Sequence, residues 1–424
     1  MKNVLIVSPS FPPSNLTAGH RSRIFANHLS KFGWNPIILT VDPKYYEEDL
    51  DKELINLIPE NLEIISTKAL PIRPFRIIGD IGIRSFCWHL YSILKINRER
   101  RIDMLYIPIP SNFSALLGII VNKITKIPYS IDYIDPWVHE WPEAKQMFSK
   151  AWFVYHLNKI LEPIALRNVS LITSVAPGYY SGVIERYSWI EESICKSMPY
   201  GSEIIDFNYI EENQKPPVLF NNSDIEFRFI YAGAMLPKAY ETLDALFLAL
   251  KIIKESDKSL SKRLKLYFIG TGLNPNKADS YNVSKYAEKY DISDNVIEYP
   301  KRVPYLEILN HLKHSDSVLI IGSSESHYTP SKVFQGVMSK KPLFALLHSE
   351  SSAVKIINKT NSGYVITFDQ NDQINNKVDE IVAMIKQIVS KEWKVDKVDW
   401  DHFNAYSAES VTKQLAVSFD EVTG

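Results

Sequence analysis

The chain has 424 residues, a formal net charge of −1, 45% hydrophobic residues and 23% charged residues. This length predicts two or three domains, and the balanced charge gives no whole-chain reason to expect nucleic acid or a membrane as partner. The two cysteines, Cys87 and Cys195, lie far apart, which argues against a disulfide scaffold or a cysteine metal site and favours a reducing cytoplasm.

Short apolar runs alternate with amphipathic segments in the first half of the chain. The first run begins almost at Met1, so we expect no N-terminal signal, and no run is long enough for a membrane helix. A loop with three prolines, 8–18, leads to a predicted helix at 19–32 that ends at Gly33. The predicted strands are 4–7, 35–41, 104–107, 129–131 and 171–175. This alternation is typical of a doubly wound parallel sheet in an α/β protein.

The same alternation restarts after a polar, proline-bearing segment at 209–224, which we interpret as a linker. The strands predicted in the second half are 227–232, 264–269, 296–299, 318–321 and 343–347. Between the first two of these, 240–254 is a predicted helix. Two Rossmann-like domains, 1–208 and 225–395, are the simplest account of this repetition. The tail from 399 to 422 is also predicted to be helical.

A helix-forming segment with several polar residues follows the buried strand predicted at 318–321. Its residues 329–336 read Thr-Pro-Ser-Lys-Val-Phe-Gln-Gly, with Thr329 as a candidate cap and Pro330 at the first helical position. Ser331 and Gln335 lie four residues apart and therefore share a helix face. A helix N-terminus beside the carboxyl end of a strand is where an open α/β sheet binds an anion such as a diphosphate.

This segment, together with Lys341-Pro342-Leu343, resembles a stretch of retaining glycosyltransferases of family 4. There a Pro-Ser-Lys-Leu-Phe-Glu-Tyr type sequence is followed by Gly-x-Pro and a hydrophobic residue. The family's ribose-binding Glu corresponds to Gln335, and a second family acid corresponds to His327. The resemblance implies the GT-B fold, in which two Rossmann-like domains enclose an interdomain cleft. It also implies that 1–208 binds the acceptor, that 225–395 binds the donor, and that the terminal segment 396–424 packs back on the first domain.

The resemblance implies further donor-binding residues. Gly19 lies in the first βα loop, where the family places a glycine-rich loop against phosphate, and the alternative is a proline-stiffened surface loop. Gly233 and Lys238 match a Gly-Arg…Lys phosphate grip, although Ala234 replaces the Arg. Lys238 could equally be an exposed loop lysine. Arg302 or Lys332 could supply the missing charge, and Val303 lies in the loop whose backbone usually contacts the base.

Catalytic and acceptor-side roles also follow from the resemblance. Lys238, Lys332 and the helix that begins at Thr329 would stabilise the leaving diphosphate. Asp135 would position the acceptor, with Asp132 and Trp137 beside it. The segment containing them also fits a simple Asp-Pro turn or a metal site formed by Asp132, Asp135 and His139. The family implies no obligatory metal, and no cofactor is expected beyond the nucleotide sugar itself.

The segment 68–101 combines basic and aromatic residues. Its bases are Lys68, Arg73, Arg76, Arg84, Lys95, Arg98, Arg100 and Arg101, and Phe75, Phe86, Trp88 and Tyr91 lie among them. This composition predicts peripheral contact with an anionic membrane. The alternative is a solvated helix whose aromatic residues face the core.

The sequence therefore predicts a glycosyltransferase with a nucleotide sugar as donor and a glycan or lipid-linked molecule as acceptor. We expect it to work in bacterial surface polysaccharide biosynthesis, in the cytoplasm or at the inner face of the cell membrane, without nucleic acid. Ala234, His327 and Gln335 depart from the family pattern. They keep open a catalytically impaired binding or scaffold subunit of the same fold. A sugar-nucleotide epimerase is a third alternative.

Overall fold

The computed structural model describes residues 1–72, 79–138, 146–220, 225–272, 279–325, 330–390 and 392–424. The chain forms two compact units. The N-terminal unit comprises 1–200 together with 408–424, and the C-terminal unit comprises 201–407. No described helix is both long enough and apolar enough to span a membrane.

The N-terminal unit is built on a parallel sheet. Its elements up to residue 200 are β1 (Lys2–Val7), α1 (Thr17–His28), β2 (Trp34–Val41), β3 (Glu63–Thr67), α2 (Ile81–Glu99), β4 (Met104–Ile109), α3 (Ala115–Thr125), β5 (Tyr129–Tyr133), α4 (Lys150–Ala165), β6 (Leu171–Ser174), α5 (Pro177–Arg186) and β7 (Cys195–Ser197). The strand order is β3-β2-β1-β4-β5-β6-β7. Every residue of β4 and β5 is buried, as expected for strands of a parallel sheet that is covered on both faces.

The C-terminal unit repeats this architecture with six parallel strands. Its elements are α6 (Ile204–Glu212), β8 (Phe227–Ala232), α7 (Tyr240–Ser256), α8 (Lys258–Arg263), β9 (Leu264–Ile269), α9 (Val283–Ala287), β10 (Val296–Tyr299), α10 (Tyr305–Lys313), β11 (Ser317–Ile321), α11 (Lys332–Met338), β12 (Leu343–His348), α12 (Ser352–Thr360), β13 (Gly363–Phe368), α13 (Val378–Val389) and α14 (Trp400–Asn404). The strand order is β10-β9-β8-β11-β12-β13. Two Rossmann-like domains are therefore confirmed.

Each sheet contains a point at which the order of the strands reverses. In the C-terminal unit, β9 and β10 extend the sheet to one side of β8, whereas β11, β12 and β13 extend it to the other. The β8–β11 pairing joins Phe229 and Ile230, in the middle of β8, with Ser317 and Val318 at the amino end of β11. The chain thus continues from β8 and from β11 toward opposite edges of the sheet. Open α/β sheets bind ligands at such a switch point, outside the carboxyl ends of the strands.

The helix α15 (Ala408–Thr423) completes the core of the N-terminal unit. The Phe419 ring packs edge-on against Trp34 at 5.2 Å and Tyr106 at 5.7 Å between ring centroids. Burial of such rings supplies much of the stability of a core. The tail predicted as one helix is thus two, because α14 ends at Asn404 and α15 begins at Ala408.

The structure differs from the predicted domain boundaries at both ends of the C-terminal unit. That unit begins at residue 201, and α6 occupies the first part of the predicted linker 209–224. The cause is packing: Tyr305 of α10 donates a 2.7 Å hydrogen bond to Asp206, and Phe207 and Ile210 are buried. Residues 396–407 also belong to the C-terminal unit, so only α15 joins the first domain.

Candidate functional site

Gly233 and Lys332, two predicted donor-site residues, come together at the switch point of the C-terminal unit. Gly233 follows β8 directly, with φ of +123°, in the backbone region that favours glycine. A Cβ atom at this position would lie 2.5 Å from Lys332 Cε and 2.8 Å from Lys332 Nζ. The lysine side chain therefore lies across bare backbone, in space that any other residue at 233 would fill.

Tyr231 orients the Lys332 ammonium. Lys332 Nζ donates a hydrogen bond of 2.9 Å to the Tyr231 hydroxyl and lies 4.0 Å from the centre of its ring. The hydroxyl in turn donates to the backbone oxygen of Ala234 at 2.9 Å. Burial raises the pKa of Tyr231 well above its ordinary value, so the phenol stays neutral. Tyr231 thus holds the ammonium in place and leaves its positive charge intact.

Sequence reasoning missed Tyr231. It lies in the predicted strand 227–232 and is almost completely buried, and a tyrosine within an apolar run is typical of a core residue. The available signal was its position two residues before Gly233, because alternate residues of a strand share one face.

Lys238 lies on the same loop but pairs with an acid to which the sequence had assigned no role. Lys238 Nζ lies 2.9 Å from Glu325 Oε1, and the Ser324 amide donates to the Lys238 backbone oxygen at 3.2 Å. These contacts join the loop after β8 to the loop after β11. The Lys238 side chain remains 44% exposed, so its pairing with Glu325 can exchange for another anion.

The helix predicted in the segment 329–336 begins later than expected, within the described residues from Pro330 onward. The amides of Val333 and Phe334 donate to the carbonyls of Pro330 and Ser331, each at 3.2 Å, and α11 begins only at Lys332. This tight turn places Lys332 in the first helical position. Thr329 and His327 fall outside the described residues.

Gln335 lies one turn into α11, where it is half-buried. Its side-chain amide makes no hydrogen bond to any other residue that the structure describes. A partly buried amide with free donors and an acceptor is suited to a polar ligand. The predicted contact of Gln335 with a ribose stays a prediction.

Arg302 and Val303 lie farther along the sheet edge. They follow β10, which is separated from β8 by β9. Arg302 is exposed and Val303 is half-buried. The sheet order thus does not bring Arg302 next to Gly233, whereas Lys332 lies against it. Lys332 is therefore the better candidate to replace the positive charge of the family's Arg at position 234.

In the N-terminal unit, Gly19 allows a close approach of α1 to the first βα loop. A Cβ at Gly19 would lie 3.1 Å from the Ser10 backbone oxygen. The loop is further tied down where Ser22 Oγ donates to Ser8 Oγ at 2.8 Å and Ser8 Oγ donates to the Ser10 oxygen at 2.8 Å. The predicted site loop is therefore packed on α1, which fixes its position.

Asp132 is a partner of Arg21 in the interior of the N-terminal unit, which differs from its predicted acceptor-side role. Arg21 Nε and Nη2 donate to the two carboxylate oxygens at 3.0 and 3.1 Å, and Thr173 Oγ1 donates to one of them at 2.6 Å. Arg21 also donates to the backbone oxygens of Met198 and Pro199 at 2.8 and 2.7 Å. Both charged side chains are fully buried, so this network fixes α1 to the strands and the 198–199 turn.

Trp137 is also a core residue. It is only 2% exposed, and its indole N–H donates to Asn158 Oδ1 at 3.1 Å while Asn158 Nδ2 donates to the Trp137 backbone oxygen at 3.2 Å. These contacts connect the segment after β5 to α4. The acceptor contact of Trp137 was implied by the family resemblance, and this burial leaves almost no surface of the side chain for such a contact.

Asp135 is the one member of the predicted acceptor group with an exposed side chain. Although it has this exposed surface, desolvation by the protein around it raises the pKa of the carboxyl above its ordinary value. Among the described residues no group of three His, Cys, Asp or Glu side chains could hold a metal ion. His139, the third member of the alternative metal site, lies outside the described residues.

Several bases of the segment 68–101 are already paired. Arg84 is buried and donates to Glu47 Oε1 at 2.9 Å and to the backbone oxygen of Leu70 at 2.8 Å. Arg100 forms a two-pronged ion pair with Glu63, and Arg101 pairs with Asp103 at 2.7 Å. Phe86 packs against the core, whereas Tyr91 is exposed. Arg73, Phe75 and Arg76 lie outside the described residues.

Comparisons with known proteins identify the fold. No protein-family model matches the chain, and no curated protein matches it. Among solved structures, a glycosyltransferase from Rickettsia africae has a TM-score of 0.60 at 15% identity and covers 99% of this chain and 98% of its own. A UDP-forming α,α-trehalose-phosphate synthase from Burkholderia xenovorans has a TM-score of 0.65 at 10% identity and covers 100% of both chains. HepE from Anabaena, solved with UDP, has a TM-score of 0.59 at 10% identity over 99% and 100%.

These structural similarities extend over the whole chain. The sequence identities are too low to infer this protein's substrate from those of its structural neighbours. They agree with the two parallel sheets and their switch points. The protein thus has the GT-B fold, the fold of nucleotide-sugar glycosyltransferases.

Proposed function

We propose that this protein is a glycosyltransferase that takes a sugar from a nucleotide-diphosphate donor. The observation that supports this most strongly is the arrangement of Lys332 across Gly233 at the switch point of the C-terminal sheet. A half-buried strand end without a side chain, with a fixed ammonium beside it, suits a phosphate group that must approach the backbone closely.

In this proposal Lys332 is a catalytic residue, because its ammonium would contact the diphosphate that leaves the sugar. Negative charge grows on that leaving group as the glycosidic bond breaks, and a cation already in position stabilises it without reorganisation. Tyr231 is a positioning residue that acts through Lys332. Lys238 would exchange its pairing with Glu325 for the diphosphate when the donor binds.

Gln335 would bind the ribose of the donor. Its half-buried amide lies on α11, the helix that also carries Lys332. An amide forms neutral hydrogen bonds to hydroxyl groups, which are weaker than those of a carboxylate. We therefore expect a lower donor affinity than a Glu at this position would give.

Asp135 would position the hydroxyl group of the acceptor. A carboxyl with a raised pKa is a better proton acceptor near neutral pH than an ordinary aspartate. The proposal extends to retention of the anomeric configuration and to a glycan or lipid-linked acceptor. It also extends to a role in bacterial surface polysaccharide biosynthesis at the inner face of the cell membrane. These extensions rest on the resemblance of residues 330–343 to family 4.

The test is a panel of nucleotide sugars assayed with and without glycan and lipid-linked acceptors. A glycosyltransferase releases the nucleoside diphosphate faster when its acceptor is present. An epimerase converts the donor without an acceptor. A scaffold subunit turns over none of the donors, and that result with a protein that also binds no nucleoside diphosphate would overturn the proposal.

A further inference from the structure

Helix α4 presents an apolar stripe to solvent. Phe153, Leu157, Ile160 and Ile164 are exposed by 56%, 42%, 61% and 44%. Their spacing of four, three and four residues places them on one face of the helix. Exposed apolar residues are ordinary when scattered, but a contiguous row of large ones marks an interaction surface.

The opposite side of α4 holds it firmly on the N-terminal unit. Glu162 is fully buried and accepts hydrogen bonds from the hydroxyls of Tyr133 and Tyr187 at 3.1 and 2.9 Å, and it forms an ion pair with Arg186 at 2.9 Å. The pairing of Asn158 with Trp137 adds a second anchor. The helix is therefore fixed in its rotation, and the stripe faces outward as a permanent feature of the fold.

The charges around the stripe are positive. Lys150, Lys159 and Arg167 are exposed, and none of them forms an ion pair with another described residue. Glu162 is the only acid in the described range 146–184, and it is buried. Within the described range 146–184, the exposed surface of α4 is thus apolar and cationic and carries no carboxylate.

The end of α3 extends this surface. Asn168 Nδ2 donates to Asn122 Oδ1 at 3.3 Å, which brings the last turn of α3 beside the end of α4. Lys123 and Ile124 in that turn are exposed. At the other end of α4, Phe148 is 71% exposed and its ring lies 5.6 Å from that of Trp152.

We propose that this α4 surface, formed by the stripe, the flanking bases, Phe148 and the end of α3, binds the surface of an anionic lipid bilayer. Apolar and aromatic side chains insert at the level of the headgroups, and surrounding bases pair with lipid phosphates. A second copy of the chain is a poorer occupant, because two such surfaces would place bases against bases. The location differs from the segment 68–101, in which four of the six described bases pair with acids.

The experiment is sedimentation with vesicles of phosphatidylcholine alone and of phosphatidylcholine with 30% phosphatidylglycerol, without nucleotide. We expect the full chain to bind the anionic vesicles and to dissociate as salt rises. Phe153→Ser combined with Ile160→Ser, and separately Lys150→Ser combined with Lys159→Ser, should each weaken binding, the second pair by about fivefold for each base removed. Val218→Ser combined with Ile225→Ser, at apolar residues exposed by 67% and 75% in the C-terminal unit, is the matched control and should bind as the wild type does.

Three outcomes would overturn the proposal. The first is wild-type protein that stays in the supernatant with anionic vesicles at low salt. The second is equal binding by both α4 double variants and the wild type, which would return the contact to the segment 68–101 or another surface. The third is a dimer at micromolar concentration that the α4 variants abolish, without vesicle binding, which would assign the surface to a second copy.

Discussion

Lys332 Nζ donates a 2.9 Å hydrogen bond to the hydroxyl of Tyr231, although 101 residues separate the two in sequence. This contact fixes a cation beside the bare backbone of Gly233, and both residues belong to segments that meet at the switch point of one sheet. The geometry turns a flexible lysine into a preorganised group, which reduces the entropy lost when an anion binds.

Replacing Tyr231 by Phe should therefore weaken the binding of a nucleoside diphosphate while leaving the fold intact. The ring and its cation–π contact remain, and one hydrogen bond is lost, so we expect a loss of about 0.5–1.5 kcal/mol in binding free energy, measured by calorimetric titration. Tyr299→Phe is the control, since its hydroxyl donates to the Leu219 backbone oxygen at 2.8 Å, away from Lys332. Equal effects of the two substitutions would mean that Tyr231 does not act through Lys332.

Gly233→Ala should displace Lys332 and impair donor binding more than stability. The new Cβ would lie 2.5 Å from Lys332 Cε, and the residue would be held at a positive φ, which costs about 1–3 kcal/mol of folding free energy. Gly182→Ala within α5 is the control, because alanine is favoured over glycine in a helix by about 0.5–1 kcal/mol. Thermal unfolding with and without the diphosphate separates the two effects, and unchanged ligand stabilisation in Gly233→Ala would contradict the site.

Asp132→Asn tests whether this carboxylate supports the fold or the acceptor. Arg21 is fully buried beside it, so removing the negative charge leaves an uncompensated cation, and we expect a loss of about 3–5 kcal/mol in unfolding free energy. Urea denaturation measures this loss. The exposed Asp396→Asn variant should change stability by less than about 0.5 kcal/mol. A stable Asp132→Asn protein with a raised acceptor KM would restore the acceptor-side role.

The raised pKa of Asp135 predicts how stability and activity depend on pH. The pKa of its carboxyl is raised in the folded chain, so folding disfavours the charged form. The charged carboxylate therefore destabilises the fold at pH values above the raised pKa. This destabilisation disappears as the pH falls through that pKa. Asp135→Asn should therefore raise the melting temperature at neutral pH and lose that advantage in acid. If Asp135 positions the acceptor as a carboxylate, kcat/KM of the wild type should fall as the pH drops through the same range. An unchanged profile in the Asn variant would exclude this role.

The interior of both sheets could be predicted from the sequence because buried parallel strands are continuous apolar runs. The predicted strands 227–232 and 264–269 match the interior strands β8 and β9 in their bounds, and 296–299 matches the edge strand β10. The strands that sequence reasoning missed, β3, β7 and β13, lie at sheet edges. In β3 only the last of five residues is buried, so it lacks the apolar signal.

Individual residues of the candidate site could be predicted from the sequence, but the contacts between them could not. Gly233 and Lys332 were each identified from a family resemblance, yet the contact between them depends on sheet order, which no local pattern encodes. The buried pairing of Asp132 with Arg21 was not predictable for the same reason, because 111 residues separate the two in sequence. Lys238 was recognised, whereas its pairing with Glu325 became visible only when the loops after β8 and β11 were placed side by side.

The most direct measurement is calorimetric titration of wild type and Lys332→Ala with uridine, guanosine and cytidine diphosphates. We predict that the wild type binds at least one of them, and that Lys332→Ala weakens that binding by about 1.5–3 kcal/mol, as expected for a lost charge-assisted hydrogen bond. Lys359→Ala, at an exposed lysine of α12, should bind as the wild type does. Wild-type protein that binds none of the three, or equal affinity in Lys332→Ala and the wild type, would contradict a donor diphosphate site at Lys332.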